Sequence, residues 1–238
     1  MIKFFRKIRQ NLLIENKTAK YFKYAIGEII LVVIGILIAL SINNWNQERV
    51  LKDKSYSFLK QINKDLSIEI LSYEADIKAL SDISLIFDEV GKSNTLDDSL
   101  LVKLGSIIHM NYRPNNFETS YRGFINSGDI DLIEDKQLLK ELQIYYSIFL
   151  GRLNDMAEYH SAFNLQNIEG RLIERLVFQQ DGSFTLESLK KEMKTGNLKS
   201  MVNWQKLAYE HLIKMLEQCL ELAQAIHQKI DEMEITKG

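Results

Sequence analysis

The densest gathering of versatile side chains lies in NYRPNNFETSYRGFINSGDID, residues 111–131. There Tyr112, Arg113, Phe117, Tyr121, Arg122 and Phe124 surround the sole proline, Pro114. A guanidinium grips carboxylate or phosphate through paired hydrogen bonds and stacks on aromatic faces. Tyr112, Arg113, Tyr121 and Arg122 are therefore the candidate contacts for an anionic or aromatic ligand, or for a partner. The competing reading of the same residues is a packed helix-turn-helix corner whose rings simply fill a core.

Catalytic spacings are absent from the chain. It has no HExxH, GxSxG, P-loop, GxGxxG or EF-hand loop. The histidines His109, His160, His211 and His227 lack a Glu three residues before them, so the Glu-x-x-His pairs of di-iron bundles cannot form. His211 and His227 are sixteen residues apart, about 160° around a helix, and cannot share a metal unaided. Surface or half-buried histidines are expected. Cys219, alone, allows no intrachain disulfide and falls on an apolar stripe, as an inert buried thiol would. No catalytic residue, metal or cofactor is expected, and the chain is not read as an enzyme.

The elements that hold these residues begin with YAIGEIILVVIGILIALSINNWN, residues 24–46. From Ala25 to Ile42, twelve of eighteen residues are Ile, Leu or Val. As a helix the run is about 27 Å long, close to the hydrocarbon thickness of a bilayer. Insertion gains about 4 to 7 kcal/mol, whereas a charge at mid-membrane costs roughly 3 kcal/mol and less near an interface. Glu28, one turn in, leaves the balance favourable. Ala39-Leu40-Ser41 has the small residues of a cleavage site, but the apolar run exceeds the usual signal-peptide core, so a permanent anchor is expected. Trp45 marks its far interface. Gly27, Leu31, Gly35 and Ala39 form a small-residue ridge at i+4 spacing, compatible with a homodimer through the span. An acid inside a span points to function by default, and Glu28 competes between structural duty and contact with a partner.

Charge sets the orientation. Residues 1–23 carry Lys3, Arg6, Lys7, Arg9, Lys17, Lys20 and Lys23 against Glu15 alone, a net +6 in a chain of net −2, so the remainder carries −8. Phe5, Ile8 and Leu12 alternate with the cations at helical spacing, the pattern of a basic amphipathic helix on a lipid surface. Adjacency to the span favours lipid headgroups over nucleic acid as the partner of Lys3, Arg6, Lys7, Arg9, Lys20 and Lys23. Cations stay cytoplasmic, which places the residues after the span outside the cytoplasm.

The stretch FFRKIRQNLL…TAKYFKYAIGEIILVVIGILIALSINNWN, with SYRGFINSGDIDLI…YY at Ser120 to Tyr146, resembles a large family of single-pass membrane proteins of Bacteroidota, especially marine flavobacteria. That family carries no assigned activity. The resemblance implies a bacterial inner-membrane setting and no chemistry; with the orientation set by the flanking charges, the larger part is expected in the periplasm of a Gram-negative cell.

Beyond the anchor, residues 47–90 lack proline and glycine. Leu59, Ile62, Leu66, Ile70, Tyr73, Ile77, Leu80, Ile83 and Phe87 recur every three or four positions, predicting one amphipathic helix about 60 Å long. Thr95 with Asp98 reads as a cap for a helix to about Met110. A short helix over 117–126 is expected to end at Gly128, and Asp131 with Glu134, or Asp135, competes to cap a helix reaching about Phe178. Thr185 is expected to cap a short segment before Gly196. Ala208, Leu212, Met215, Cys219, Ala223, Ile226, Ile230 and Met233 give a last helix over 198–233 its heptad-like, coiled-coil stripe. Three long striped helices bury their stripes against one another, so the expected fold is all-α: an N-terminal transmembrane helix, then an elongated antiparallel helical bundle with the 111–135 region over one end. The expected domains are a basic segment 1–23, an anchor 24–46 and an extracytoplasmic bundle 47–238. The expected function is a membrane-anchored interaction or scaffolding module with a periplasmic or membrane protein partner. The alternative is a periplasmic sensory or small-ligand-binding bundle that signals through a partner.

Overall fold

The computed structural model describes residues 18–93, 97–115, 117–180, 183–195 and 197–235. The fold is all-α. Helix α1 spans Thr18–Lys92, α2 Asp98–Ile107 and α3 Thr119–Asn126. A 3₁₀ turn at Ile130–Leu132 leads into a long rod built from α4 (Lys136–Ile144), a π-helical turn (Tyr145–Phe149), α5 (Leu150–Asn164), a second π-helical turn (Leu165–Glu169) and α6 (Gly170–Arg175). Helix α7 (Leu186–Thr195) and helix α8 (Asn197–Ile235) complete the chain. Among the described residues the one β feature is an isolated antiparallel bridge between Phe178 and Phe184, so the rod stops short of Phe178.

The caps follow elementary rules. Asp97 accepts from the Leu100 amide and opens α2, while Thr95 lies outside the described residues. Of the three acids competing before the rod, Asp135 is the cap, accepting from the Gln137 and Leu138 amides. Thr185 accepts from Ser188 at the start of α7. Gly128, at φ +74°, turns the chain after α3 where a side chain would crowd the backbone.

The chain divides into two compact units, Met1–Lys54 and Ser55–Gly238. In the first, α1 carries a run long and apolar enough to cross a membrane, and that run buries none of its side chains against protein. Ile29, Leu31 and Ile42 are each more than half exposed.

In the second unit the predicted stripes meet. Leu59, Ile62, Leu66, Tyr73, Leu80 and Phe87 of α1 are buried, as are Leu212, Met215, Cys219, Ala223, Ile226 and Ile230 of α8. Each fully buried aliphatic side chain of this kind contributes roughly 1.5 to 3 kcal/mol. Asn63 bonds Asp231 and His227, while Lys206 meets Asp88, so α1 and α8 run antiparallel. Glu141 meets Lys229 and His160 meets Gln205, so the rod and α8 are antiparallel too. The rod therefore runs parallel to α1, and the bundle is antiparallel only through α8. The cause is the connection between them. Residues 112–115 and 117–120 do not cover one end, as was expected of this region, but return along α1: Tyr112 bonds Asp76, Asn115 bonds Ser72, and the amides of Phe117 and Ser120 bond Glu69 and Asp65. This strap travels about 16 Å back down α1 and starts the rod near the end where the α1 stripe began.

Candidate functional site

The strap decides the fate of the aromatic cluster. Tyr112 is buried and donates to Asp76 at 2.9 Å. Burial and the Asp76 carboxylate push its phenol pKa up, so it stays a neutral donor. Arg113 is exposed and borders a groove of about 480 Å³ with Pro114, Asn154, Glu158 and Leu165. Tyr121 and Arg122 lie elsewhere. The four predicted contacts thus form no single site: Tyr112 is a structural pin, and Arg113 serves a different groove from Tyr121 and Arg122.

The Tyr121 groove is the larger, about 740 Å³, within the span of small-molecule sites. Its floor is a ring pair: Tyr121 and Tyr146 stack with centroids 4.1 Å apart and planes 10° from parallel. Ile125, Ile130, Ile144 and Ile148 supply apolar walls. Arg122 and Lys140 add positive charge, with Gln143 and Asn126 as amides. Glu118 holds the Arg122 guanidinium at 2.6 Å, one helical turn away, and this pair favours the charged guanidinium further. The π-helical turn is what shapes the floor. An extra residue per turn points both Tyr145 and Tyr146 inward, and such turns recur at functional sites. The Tyr146 hydroxyl, fully enclosed, makes no hydrogen bond to the described residues.

Behind the groove lies a site the sequence reading missed. Glu69, fully buried, accepts from the Tyr145 hydroxyl at 2.6 Å, the Tyr73 hydroxyl at 3.1 Å and the Phe117 amide. The two hydroxyls are 3.2 Å apart. Burial raises the Glu69 pKa, and the three donors only partly offset it. Glu69 also pushes the buried Cys219 thiol, already raised by burial, to about 12, which leaves it un-ionised and unreactive. A signal for Glu69 was present: it sits three residues after Leu66 and four before Tyr73, on the stripe itself, whereas Ile70, assigned there, is only partly buried.

A second buried polar network corrects the expectation that the histidines lie at or near the surface. His109 and His211 are exposed and His227 is half-buried, but His160 is enclosed between α5 and α8. Its Nε2 meets the Gln205 carbonyl at 2.7 Å, and Gln205 donates to the Ile108 carbonyl and to Asn164. Asn164 and Tyr209 donate to the Met110 carbonyl. These bonds satisfy carbonyls left open where α2 ends. Burial pushes the His160 pKa down, and its ring stacks on Trp204. Because Gln205 uses its NH₂ elsewhere, its oxygen requires Nε2–H, which fixes the neutral tautomer. Among the described residues no group of three or more His, Cys, Asp or Glu is placed to hold a metal ion.

In the first unit, Lys3, Arg6, Lys7 and Arg9, and the amphipathic reading with them, lie outside the described residues, as does the side chain of Lys20. Lys23 is exposed. Trp45 is exposed, with the Arg49 guanidinium 5.8 Å from its ring. A Cβ added at Gly27 or Gly35 would meet nothing within 4 Å, so that face with Ala39 is bare. Glu28 is half-buried and engaged in an interaction. The unit is compatible with membrane anchoring.

Residues 28–162 match the profile of a family of unknown function, DUF6090. The chain belongs to that family. No curated protein matches, and no solved structure does. The DUF6090 segment opens at Glu28, inside the apolar run, and closes within α5. All the groove residues, Glu69 and its three donors fall inside it. The His160 network reaches outside it, to Asn164, Gln205 and Tyr209.

Proposed function

We propose that this DUF6090 protein is a single-pass anchored interaction module of a bacterial inner membrane, with its basic N-terminus cytoplasmic and the unit from Ser55 in the periplasm. Three features of the chain support the address: the bare aliphatic run of α1, the Trp45–Arg49 pair beyond it, and the net +6 before it. A reporter active only outside the cytoplasm, fused after Gly238, tests the orientation and is expected to be active.

The working surface in this reading is the Tyr121–Tyr146 groove, and the observation that carries it is the stacked pair set on a π-helical turn between Arg122 and Lys140. A photo-crosslinking residue placed at Ile125 or Ile148 in cells should give one dominant adduct. The same residue at Leu85, more exposed and not part of the groove, should not. Adducts equally strong at all three positions, or at none, remove the groove from the reading. Self-association through Gly27, Leu31, Gly35 and Ala39 is the scaffolding component of the same proposal.

A sensory module is the second reading. It is favoured by adjacency: Tyr146 lines the groove while its neighbour Tyr145 bonds Glu69 of α1. A ligand that displaces the π-helical turn would be felt on α1 through that one bond.

A further inference from the structure

We infer that the Tyr121–Tyr146 groove binds a small organic carboxylate with an apolar, preferably aromatic, body. The inference rests on the reading of the groove as the working surface and deepens it by naming the chemistry it accepts. The floor is two stacked rings and the walls are four isoleucines, two of which, Ile125 and Ile148, are exposed. Such a surface excludes strongly hydrated ligands and rewards a ring or branched chain that can lie on Tyr121. A volume of about 740 Å³ holds a molecule of one or two rings.

Charge selects the other end of the ligand. The groove residues comprise two cations, Arg122 and Lys140, and one acid, Glu118. Glu118 meets one Arg122 nitrogen, Nη2, so the guanidinium has further N–H donors with which to meet a ligand. Lys140 has no ion-pair partner among the described residues. The net lining is therefore +1 in a unit that is acidic overall, which favours an anion over a cation at this spot. A carboxylate matches the planar fork of Arg122, and the amides of Gln143 and Asn126 stand ready for a second polar group on the ligand. A cation would meet two like charges.

The test uses the full chain in lipid nanodiscs, with empty nanodiscs subtracting partition into lipid. Three probes share one body: 4-phenylbutyrate, 4-phenylbutan-1-ol and 4-phenylbutylammonium. Titration calorimetry, or ligand-observed NMR where heats are small, should show saturable 1:1 binding of the acid. The alcohol should bind about tenfold more weakly or worse, and the ammonium should not bind. Arg122→Gln and Lys140→Gln, both exposed and so harmless to folding, should each weaken the acid several-fold and together reduce it to the level of the alcohol. Three results overturn the inference: equal binding of acid and alcohol, a double variant that binds the acid like the parent chain, or no saturable acid binding below about 10 mM. Failure here is separable from failure of the groove itself. If the acid does not bind but the Ile125 crosslink persists, the groove stands as an interaction surface and the ligand class falls.

Discussion

Tyr145 donates a 2.6 Å hydrogen bond to Glu69 across 76 positions of sequence, and the bond joins the π-helical turn of the rod to the middle of the α1 stripe. Leaving a buried acceptor short of its donor costs about 1 to 3 kcal/mol. Tyr145→Phe should therefore lower unfolding stability by about that amount in urea titrations followed by circular dichroism. Tyr159→Phe, on an exposed face of the rod, should change it by less than about 0.5 kcal/mol. Equal effects would mean that the bond is not holding the two elements together.

The same carboxyl sets a pH dependence. The folded pKa of Glu69 lies above its ordinary value of 4.5, so the folded state binds more protons than the unfolded state once pH exceeds 4.5. Stability must then fall as pH rises from 4.5 through the folded value. Glu69→Gln removes this contribution. The difference in urea midpoint, variant minus parent, should grow with pH over that window and level off above it.

His160 acts in the opposite sense. Its folded pKa lies below the ordinary 6.5, so the unfolded state binds the extra proton as pH drops under 6.5. Stability from this group is complete above 6.5 and is lost progressively on acidification. Comparing His160→Gln with the parent chain at pH 5 and pH 7.5 checks it: the parent should lose more stability than the variant between the two.

The strap should be locally separable from the core. Tyr112→Phe deletes its bond to Asp76, at a cost of about 1 kcal/mol, and loosens residues 112–115. Hydrogen exchange of the Arg113 and Asn115 amides should quicken several-fold, with exchange of the α8 core amides unchanged. Exchange of those strap amides at the parent rate would show that Tyr112 is not the pin.

Gly128→Ala forces a side chain into a left-handed backbone at φ +74° and should cost about 1 kcal/mol by thermal denaturation. Gly128→Asn should cost less, because Asn tolerates that conformation better.

Most of the architecture was legible because helical period is a local property. The stripes of α1 and α8, the cap at Thr185 and the turn at Gly128 each depend on residues within a turn or two of one another, whereas the choice of Asp135 over Asp131 and Glu134 as the cap of the rod was settled only by the structure. Helix direction was not legible, because it depends on the strap, and the strap depends on Asp65, Glu69, Ser72 and Asp76 meeting residues up to 55 positions away. The groove was half legible. Tyr121 and Arg122 stood out by type, but their partner ring is Tyr146, brought under Tyr121 by a π-helical turn that has no period-based signature. His160 was misplaced for a related reason. Its cover is Gln205 and Trp204, polar and aromatic residues on a helix whose apolar stripe passes beside them.

The opposed run of α8 against both α1 and the rod has a consequence for how the molecule is made. The ribosome releases the α1 stripe more than a hundred residues before α8, an interval on the order of ten seconds at ordinary synthesis rates. Throughout it, Leu66, Leu80 and Phe87 lack the neighbour that finally covers them. The newborn chain is thus a substrate for holding factors until its last helix emerges, and a ribosome stalled before Asn197 leaves a sticky, half-built product.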